Sequence, residues 1–371
     1  MPSLRVMIDA RMADHGGIGT YLQGLTPAIV ATNAVGHACV LGAPDGAFTA
    51  DSTIPCQRPF PAPIYSIREQ LSIPANTHGA TLWHSPHFNI PLGWQGPLVV
   101  TIHDLIHVKF PRYARSPLAY PYAAFMLRQV ARRAGVVIAV SETTRRDFCA
   151  WTGMDPSRVH VIFHGVNPGI GHPVTQDILT KTLQRHGVRQ PFVLWVSAIR
   201  PHKNPLVALR AFARLRAQHR IPHQLVMVGP TYHWYQEPLS EARRLHLGEV
   251  VRWLGSVARG ELPTFYRAAS ALLMPSHYEG FGLPVLEAMA SGLPVIVSST
   301  PALSELVDNA GVTVHQEDVD GFAHHLYNVL SHEDVHRTLQ ERGRLRAQQF
   351  TWARSATQHV QAYRTLLGDS A

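Results

Sequence analysis

The stretch Pro275-Ser276-His277-Tyr278-Glu279-Gly280-Phe281-Gly282-Leu283-Pro284-Val285-Leu286-Glu287-Ala288-Met289-Ala290 decides how this 371-residue chain is read. It follows the apolar run Ala271–Met274 and so begins at the carboxyl end of a strand. Gly280 and Gly282 permit backbone conformations that a Cβ forbids. Pro284 fits the first residue of a helix, where its missing N–H goes unnoticed. The helix start then offers unpaired N–H groups and a partial positive charge, a cradle for a diphosphate. Glu279 falls in the loop and Glu287 about one turn inside the helix, so two carboxylates can face one ligand at different depths. A capped helix with Glu287 as an ordinary first-turn acid is the plain structural alternative.

Outward from this stretch, short apolar runs alternate with helix-period segments along the whole chain, the pattern of parallel α/β architecture. Strands are expected at Leu4–Asp9, His37–Leu41, Thr81–His84, Leu98–His103, Gly135–Val140 and Val159–Phe163. After a break at His164–Pro173 the alternation resumes at Phe192–Ser197, Gln224–Gly229, Val250–Leu254, Ala271–Met274, Pro294–Val297 and Gly311–Val314. Helices are expected at Thr20–Thr32, Leu118–Ala134 and Glu142–Thr152, and three more close the chain. The break divides the chain into domains 1–168 and 169–350, with a final helix over 351–371 returning towards the first. In two lobes of this kind the ligand site is a cleft at the carboxyl ends of the strands.

Hydrophobic residues make up 46% of the chain and charged ones 16%, which excludes extended disorder. No apolar run approaches the roughly 20 residues that span a bilayer, and the opening MPSLRVMIDARM reads as a strand rather than a signal peptide. Cys39, Cys56 and Cys149 are far apart and in no CxxC pattern, so unpaired thiols in a reduced, cytoplasmic compartment are expected. The net charge of +8 is concentrated: Lys109, Arg112, Arg115, Arg128, Arg132, Arg133, Arg145 and Arg146 meet Glu142 as the only acid among them. Such a segment suits an anionic partner or, equally, a solvated basic helix face.

Three further clusters carry chemistry. Arg200 and Lys203, after the strand Phe192–Ser197, offer a planar fork and a point charge suited to a diphosphate. Gly16 and Gly17 open a helix after the first strand, though without the GxGxxG spacing of dinucleotide enzymes. His103 and Asp104 end a strand of the first lobe. The run His103-Asp104-Leu105-Ile106-His107 has no third ligand at metal spacing, so no metal is expected. His84 and His87 read as loop or cleft-lining groups rather than ligands.

Together these stretches resemble the retaining glycosyltransferases of family 4, which have the GT-B fold of two Rossmann-like domains facing across a cleft. The resemblance runs from Gly16–Gly19 through His103-Asp104, Val140-Ser141-Glu142, His164-Gly165-Val166, Arg200/Lys203 and Leu254-Gly255-Ser256-Val257. It continues through Glu279–Glu287 to Phe350-Thr351-Trp352. The short Arg-to-Lys spacing is that of a mannosyltransferase-like subgroup; His164 replaces a frequent Asn. The resemblance implies an acceptor-binding first domain and a donor-binding second. Arg200 and Lys203 would hold the donor diphosphate, and the backbone of Phe281, Gly282 and Leu283 the phosphate and sugar. Glu279 and His103 would contact the transferred sugar and Glu287 the ribose. Gly16 and Gly17 would lie near the diphosphate, and Gly229 and Val257 near the base. It further implies GDP-mannose as first donor, ahead of a UDP-hexose or dTDP-rhamnose, and a glycan or lipid-linked acceptor as in surface-polysaccharide synthesis. No metal or cofactor is implied. Peripheral contact with an anionic membrane is suited by Lys109, Arg112 and Arg115 interleaved with Tyr120, Tyr122 and Phe125, unless those rings face the core, which is equally expected. A GT-B phosphorylase or sugar-nucleotide epimerase stays open, as does a basic membrane-surface or nucleic-acid-binding protein, although no nucleic-acid motif is present.

Overall fold

The computed structural model describes residues 4–43, 45, 47–48, 54–60, 62–72, 79–113, 116–170 and 173–368. Arg115 and residues 171–172 of the domain break lie outside them. The chain forms two compact units, Met1–Gly165 with Phe350–Ala371, and Val166–Gln349.

In the first unit, seven strands lie in the order β3-β2-β1-β4-β5-β6-β7. They are β1 (Arg5–Asp9), β2 (His37–Leu41), β3 (Cys56–Arg58), β4 (Leu82–Ser85), β5 (Leu98–Ile102), β6 (Val136–Ala139) and β7 (Val159–Val161). In the second, six strands take the order β10-β9-β8-β11-β12-β13. They are β8 (Phe192–Val196), β9 (Gln224–Val228), β10 (Val251–Gly255), β11 (Ala271–Met274), β12 (Val295–Ser298) and β13 (Val312–Val314). The pairings are parallel, such as Val100 with Val137 and Leu194 with Val226. Parallel strands need helical crossovers that cover both faces, which is why they read as unbroken apolar runs. Met7 and Val100 pack into one core cluster of the first unit, while Ile8 and Val99 pack into the other. The final helix Trp352–Leu367 packs on the helix Gly16–Ala31, where a Cβ on Gly24 would fall 2.1 Å from the Trp352 ring. Gly165 has the same constraint: its Cβ would lie 2.2 Å from the Trp352 nitrogen.

Every strand expected from the sequence is present, with ends moved by one or two residues. Three expectations need correction. The first helix begins at Gly16 rather than Thr20, so Gly16 and Gly17 form its first turn instead of a loop before it. Pro284 is the second residue of its helix, because Gly282 is the N-cap. The cysteines are not all unpaired: Cys39 and Cys56 are bridged and only Cys149 is free. The short strand β3 had not been read from the sequence, and it sets Cys56 directly opposite Cys39 on β2, with Cα atoms 4.4 Å apart.

The basic segment is divided in its roles. The helix Ala119–Arg133 buries Ala123, Ala124, Met126, Leu127 and Val130 and leaves Leu118, Tyr120 and Phe125 exposed. Tyr122 is half-buried and donates its hydroxyl to Asn89. Arg133 caps the carbonyls of Leu92 and Trp94, and Lys109 bonds Asp147 at 2.6 Å.

Candidate functional site

In the second unit β8 lies between β9 and β11, so the chain leaves β8 and β11 in opposite directions. A crevice at the carboxyl ends of two such strands is where α/β sheets take ligands. The loop after β8 carries Arg200 and Lys203; the loop after β11 carries Glu279 to Gly282. Two bonds tie the loops into place: His277 N–H donates to His202 C=O at 2.8 Å, and Ile199 N–H to Pro230 C=O, after β9, at 2.9 Å. Asn204, in the left-handed region at φ 52°, turns the chain into the helix Pro205–Gln218.

These loops bring Lys203 and Glu279 together. The ammonium bonds both carboxylate oxygens, at 2.9 and 2.8 Å, and Ser276 donates to one of them at 2.8 Å. Glu279 is 7% exposed, so its charge is held by partners and not by water. Arg200 points elsewhere: its guanidinium stacks 5.1 Å from the Tyr232 ring centroid and donates to the Tyr232 hydroxyl at 3.3 Å.

Gly282, at φ 105°, caps the helix Leu283–Ala290; a Cβ there would fall 2.6 Å from Leu303. Phe281 is buried and Leu283 half-buried. One turn on, buried Glu287 accepts the Tyr266 hydroxyl at 2.9 Å. Burial pushes its carboxyl up to about 7, against the Tyr266 bond and the Arg259 charge. Gly229, at φ 140°, is packed so tightly against the Ser197 carbonyl that no Cβ fits. Val257 is half-buried two residues beyond β10.

The remaining candidates belong to the first unit. Gly16 and Gly17 are exposed at the start of their helix, after β1. His103 follows β5 and donates Nε2–H to the Pro86 carbonyl, after β4, at 2.8 Å. Its ring stacks on His164 and meets the edge of Tyr21. Burial lowers its pKa, partly offset by the Pro86 bond and by Asp104, so the imidazole is neutral. Asp104 accepts Ile106 N–H at 2.9 Å. Among the described residues no group of three or more His, Cys, Asp or Glu side chains could hold a metal ion.

Sequence reasoning missed Tyr266, Ser276 and Tyr232, each of which holds a candidate. Only Tyr232 left a signal, in the aromatic run Tyr232-His233-Trp234-Tyr235 after a strand end.

The family model for glycosyl transferases group 1 matches residues 181–346, and that for glycosyltransferase family 4 matches residues 15–169. The O-antigen chain mannosyltransferase B of Escherichia coli is 28% identical over 77% of this chain and 74% of its own length. The D-inositol 3-phosphate glycosyltransferase of Kribbella flavida is 31% identical over 73% and 66%. Among solved structures, Anabaena HepE in complex with UDP and glucose superposes with a TM-score of 0.77 at 20% identity, over 98% of this chain and all of that one. The two family models together cover most of the chain, and it folds into two parallel sheets: the chain belongs to glycosyltransferase family 4, with the GT-B fold.

Proposed function

We propose that this glycosyltransferase moves a hexosyl group, mannosyl from GDP-mannose in the first instance, to a hydroxyl of a glycan or lipid-linked glycan, with retention and without a metal or other cofactor. The observation that carries this is the Lys203–Glu279 pair at the carboxyl ends of β8 and β11 ahead of the Gly282 helix start, with Arg200 on the same loop as Lys203. Lys203, Arg200 and that helix start stabilise the departing diphosphate. The mannosyltransferase relative favours mannose. A UDP-sugar is the rival donor, since the fold neighbour HepE holds UDP. Retention through a covalent glycosyl-enzyme needs a free carboxylate nucleophile. Glu279 has both oxygens engaged, which favours attack by the acceptor on the face the diphosphate leaves, with the leaving phosphate taking the proton. Thermal-shift titration with GDP, UDP and dTDP tests the site: a ligand at about 100 times its Kd adds roughly 2.7 kcal/mol. If none raises the melting temperature, the donor site is wrongly placed. A sugar-nucleotide epimerase would convert donor without acceptor; this chain should show only slow hydrolysis.

Three further outcomes are expected. Activity should survive EDTA, since Arg200 and Lys203 supply the positive charge. Complete loss on chelation, restored by Mg²⁺ or Mn²⁺, would overturn that part. Glu287→Gln keeps an acceptor for Tyr266 but loses charge towards the ribose. The donor KM should rise about tenfold, about 1.4 kcal/mol, with kcat little changed. In the free protein, burial makes the charged form of Glu287 costly, so stability falls as pH rises from its ordinary value towards 7. Glu287→Gln should therefore flatten that fall. Glu279→Gln should act on kcat instead, and the opposite pattern would exchange the two roles.

The third concerns membrane contact. Leu118, Tyr120 and Phe125 are exposed on a helix that also carries exposed Arg128 and Arg132. Apolar and cationic groups so interleaved suit a surface of anionic lipid, each cation adding about 1 kcal/mol. Among the described residues no helix is long and apolar enough to cross a membrane. Flotation with anionic vesicles should show binding that weakens with salt and falls in Phe125→Ser. Absence of binding at low salt would leave the segment as a solvated face.

A further inference from the structure

Beyond the carboxyl ends of β4 and β5 lies a group of side chains that the donor chemistry does not use. Tyr65 is 48% exposed although aromatic, and its backbone sits at φ 66°, in the left-handed region. A tyrosine persists there only where its surroundings over-determine it, and such positions gather at binding sites. The surroundings here are a buried ionic network. Arg11 donates Nε–H and Nη2–H to Asp9, at 2.9 and 2.6 Å, and Nη1–H to Glu69. Glu69, fully buried, accepts Tyr65 N–H at 3.0 Å and Asn89 Nδ2–H at 2.9 Å. Asn89 in turn accepts the Tyr122 hydroxyl, and the Tyr122 ring packs edge-on to Tyr65 at 5.5 Å. Two carboxylates, a guanidinium and an amide are thus withdrawn from water beneath one exposed ring. This is a costly arrangement that fixes the geometry of what it supports.

The ring also adjoins the candidate catalytic side of the unit. Tyr65 meets His87 edge-on at 5.9 Å. His87 directly follows Pro86, whose carbonyl holds His103. We propose that Tyr65, with His87 and Asp104, forms the platform on which the acceptor is received, and that its ligand is an uncharged pyranoside ring. An exposed, rigidly held aromatic offers a flat apolar face to the C–H side of a sugar, and Asp104, whose charge acts on Tyr65, accepts from hydroxyls; His87 braces the ring, with Nε2 3.5 Å from the phenol oxygen and Nδ1 accepting Asn89 N–H at 3.4 Å.

Charge decides between a neutral sugar and a phosphorylated acceptor. The charges acting on Tyr65 are the carboxylates of Glu69, Asp104 and Asp9, and the single cation among them, Arg11, is spent on Asp9 and Glu69. Partial burial and the nearby carboxylates hold the phenol above its ordinary pKa, so it remains an uncharged donor. An anion placed there would meet these three carboxylates, and the one cation among the charges acting on Tyr65 is already engaged. The platform therefore selects a neutral glycan end over a sugar or cyclitol phosphate.

This inference rests on the transferase reading, and the test separates the two. The p-nitrophenyl α- and β-glycosides of mannose, glucose, galactose and N-acetylglucosamine serve as probes, with D-inositol 3-phosphate as the anionic arm. Binding is read by saturation-transfer NMR on the full chain. At least one glycoside should bind through its sugar protons. Tyr65→Ala should weaken it at least tenfold, while Tyr65→Trp, which keeps a flat ring, should restore it. Inositol phosphate should bind more weakly than that glycoside. The melting shift given by GDP or UDP should persist in both variants, which shows that they are folded and that the donor site is intact. If a nucleotide shifts the melting but no glycoside binds, or Tyr65→Ala binds as the parent does, or inositol phosphate binds best, the platform is refuted while the donor site stands. If no nucleotide shifts the parent protein, it is the transferase reading that fails.

Discussion

Lys203→Ala should lower kcat by about 30- to 1000-fold, a loss of about 2–4 kcal/mol of transition-state stabilisation for one donor to a growing charge. Its stability should change too, for a separate reason. Lys203 is the cation that neutralises Glu279, whose side chain is 7% exposed against 19% for Lys203. Removing one partner of a buried pair strands the other; complete burial would make this about 3–5 kcal/mol, and the partly exposed ammonium lowers the figure. The double variant Lys203→Met with Glu279→Gln removes both charges and should recover most of the stability but none of the activity. Arg200→Ala provides the contrast. Arg200 is exposed and stacked on Tyr232, so its loss should reduce kcat comparably while leaving the melting temperature nearly unchanged. Steady-state kinetics and denaturant melts on the four proteins separate the effects. Near-normal kcat/KM in both single variants would mean that the diphosphate is held elsewhere.

What could be read from the sequence was what is local in it. The strand β11, the glycines at 280 and 282 and the helix with Glu287 are consecutive, so their order and direction followed from periodicity and backbone permissiveness alone. The alternation of apolar runs likewise gave both sheets. What escaped depends on contacts between distant segments. Lys203 meets Glu279 across 76 residues, and nothing in either motif says that the two cleft charges neutralise each other in the free protein. Tyr266 lies in a short helix and could have faced any neighbour. The strand β3 is three residues long, below the length at which alternation is detectable, and with it went the pairing of Cys39 and Cys56. The Tyr65 platform was hidden for the same reason: Asp9, Arg11, Glu69 and Asn89 come from three separate segments.

A second large effect is expected from acid. Inside the first unit, Tyr21, His84, Thr101, His359 and Tyr363 form a bonded chain from which water is excluded. One assignment of protons satisfies every link. Tyr363 O–H donates to His84 Nδ1 at 2.8 Å, and His84 Nε2–H to Thr101 Oγ1 at 2.9 Å. Thr101 then donates to the Tyr21 oxygen at 2.8 Å, Tyr21 to His359 Nε2 at 2.9 Å, and His359 Nδ1–H to the Ser355 carbonyl at 2.7 Å. Each imidazole is neutral, with one nitrogen donating and one accepting. A proton added to either ring turns the acceptor into a second donor facing a hydroxyl that already donates, and it places a charge where nothing solvates it. Burial accordingly depresses both pKa values, that of His359 to about 4 despite the Ser355 bond. A folded pKa below the unfolded one means that the folded state binds fewer protons, so the stability is present above pH 6.5 and is lost as pH falls through that window. At about 1.4 kcal/mol per pH unit, His359 alone accounts for about 3 kcal/mol between pH 6.5 and 4. Because the two units need not melt together, hydrogen exchange of the segments containing β4, β5 and the final helix is the sharper readout. These should lose protection between pH 7 and pH 5, while β8, β9 and β11 change less. His359→Gln, which can still accept from Tyr21 but does not titrate, should be less stable at pH 7 and show a shallower fall towards pH 5. Protection in the first unit that is flat from pH 7 to 5 would show that the chain accommodates a charged imidazole, contrary to the bonding set out above.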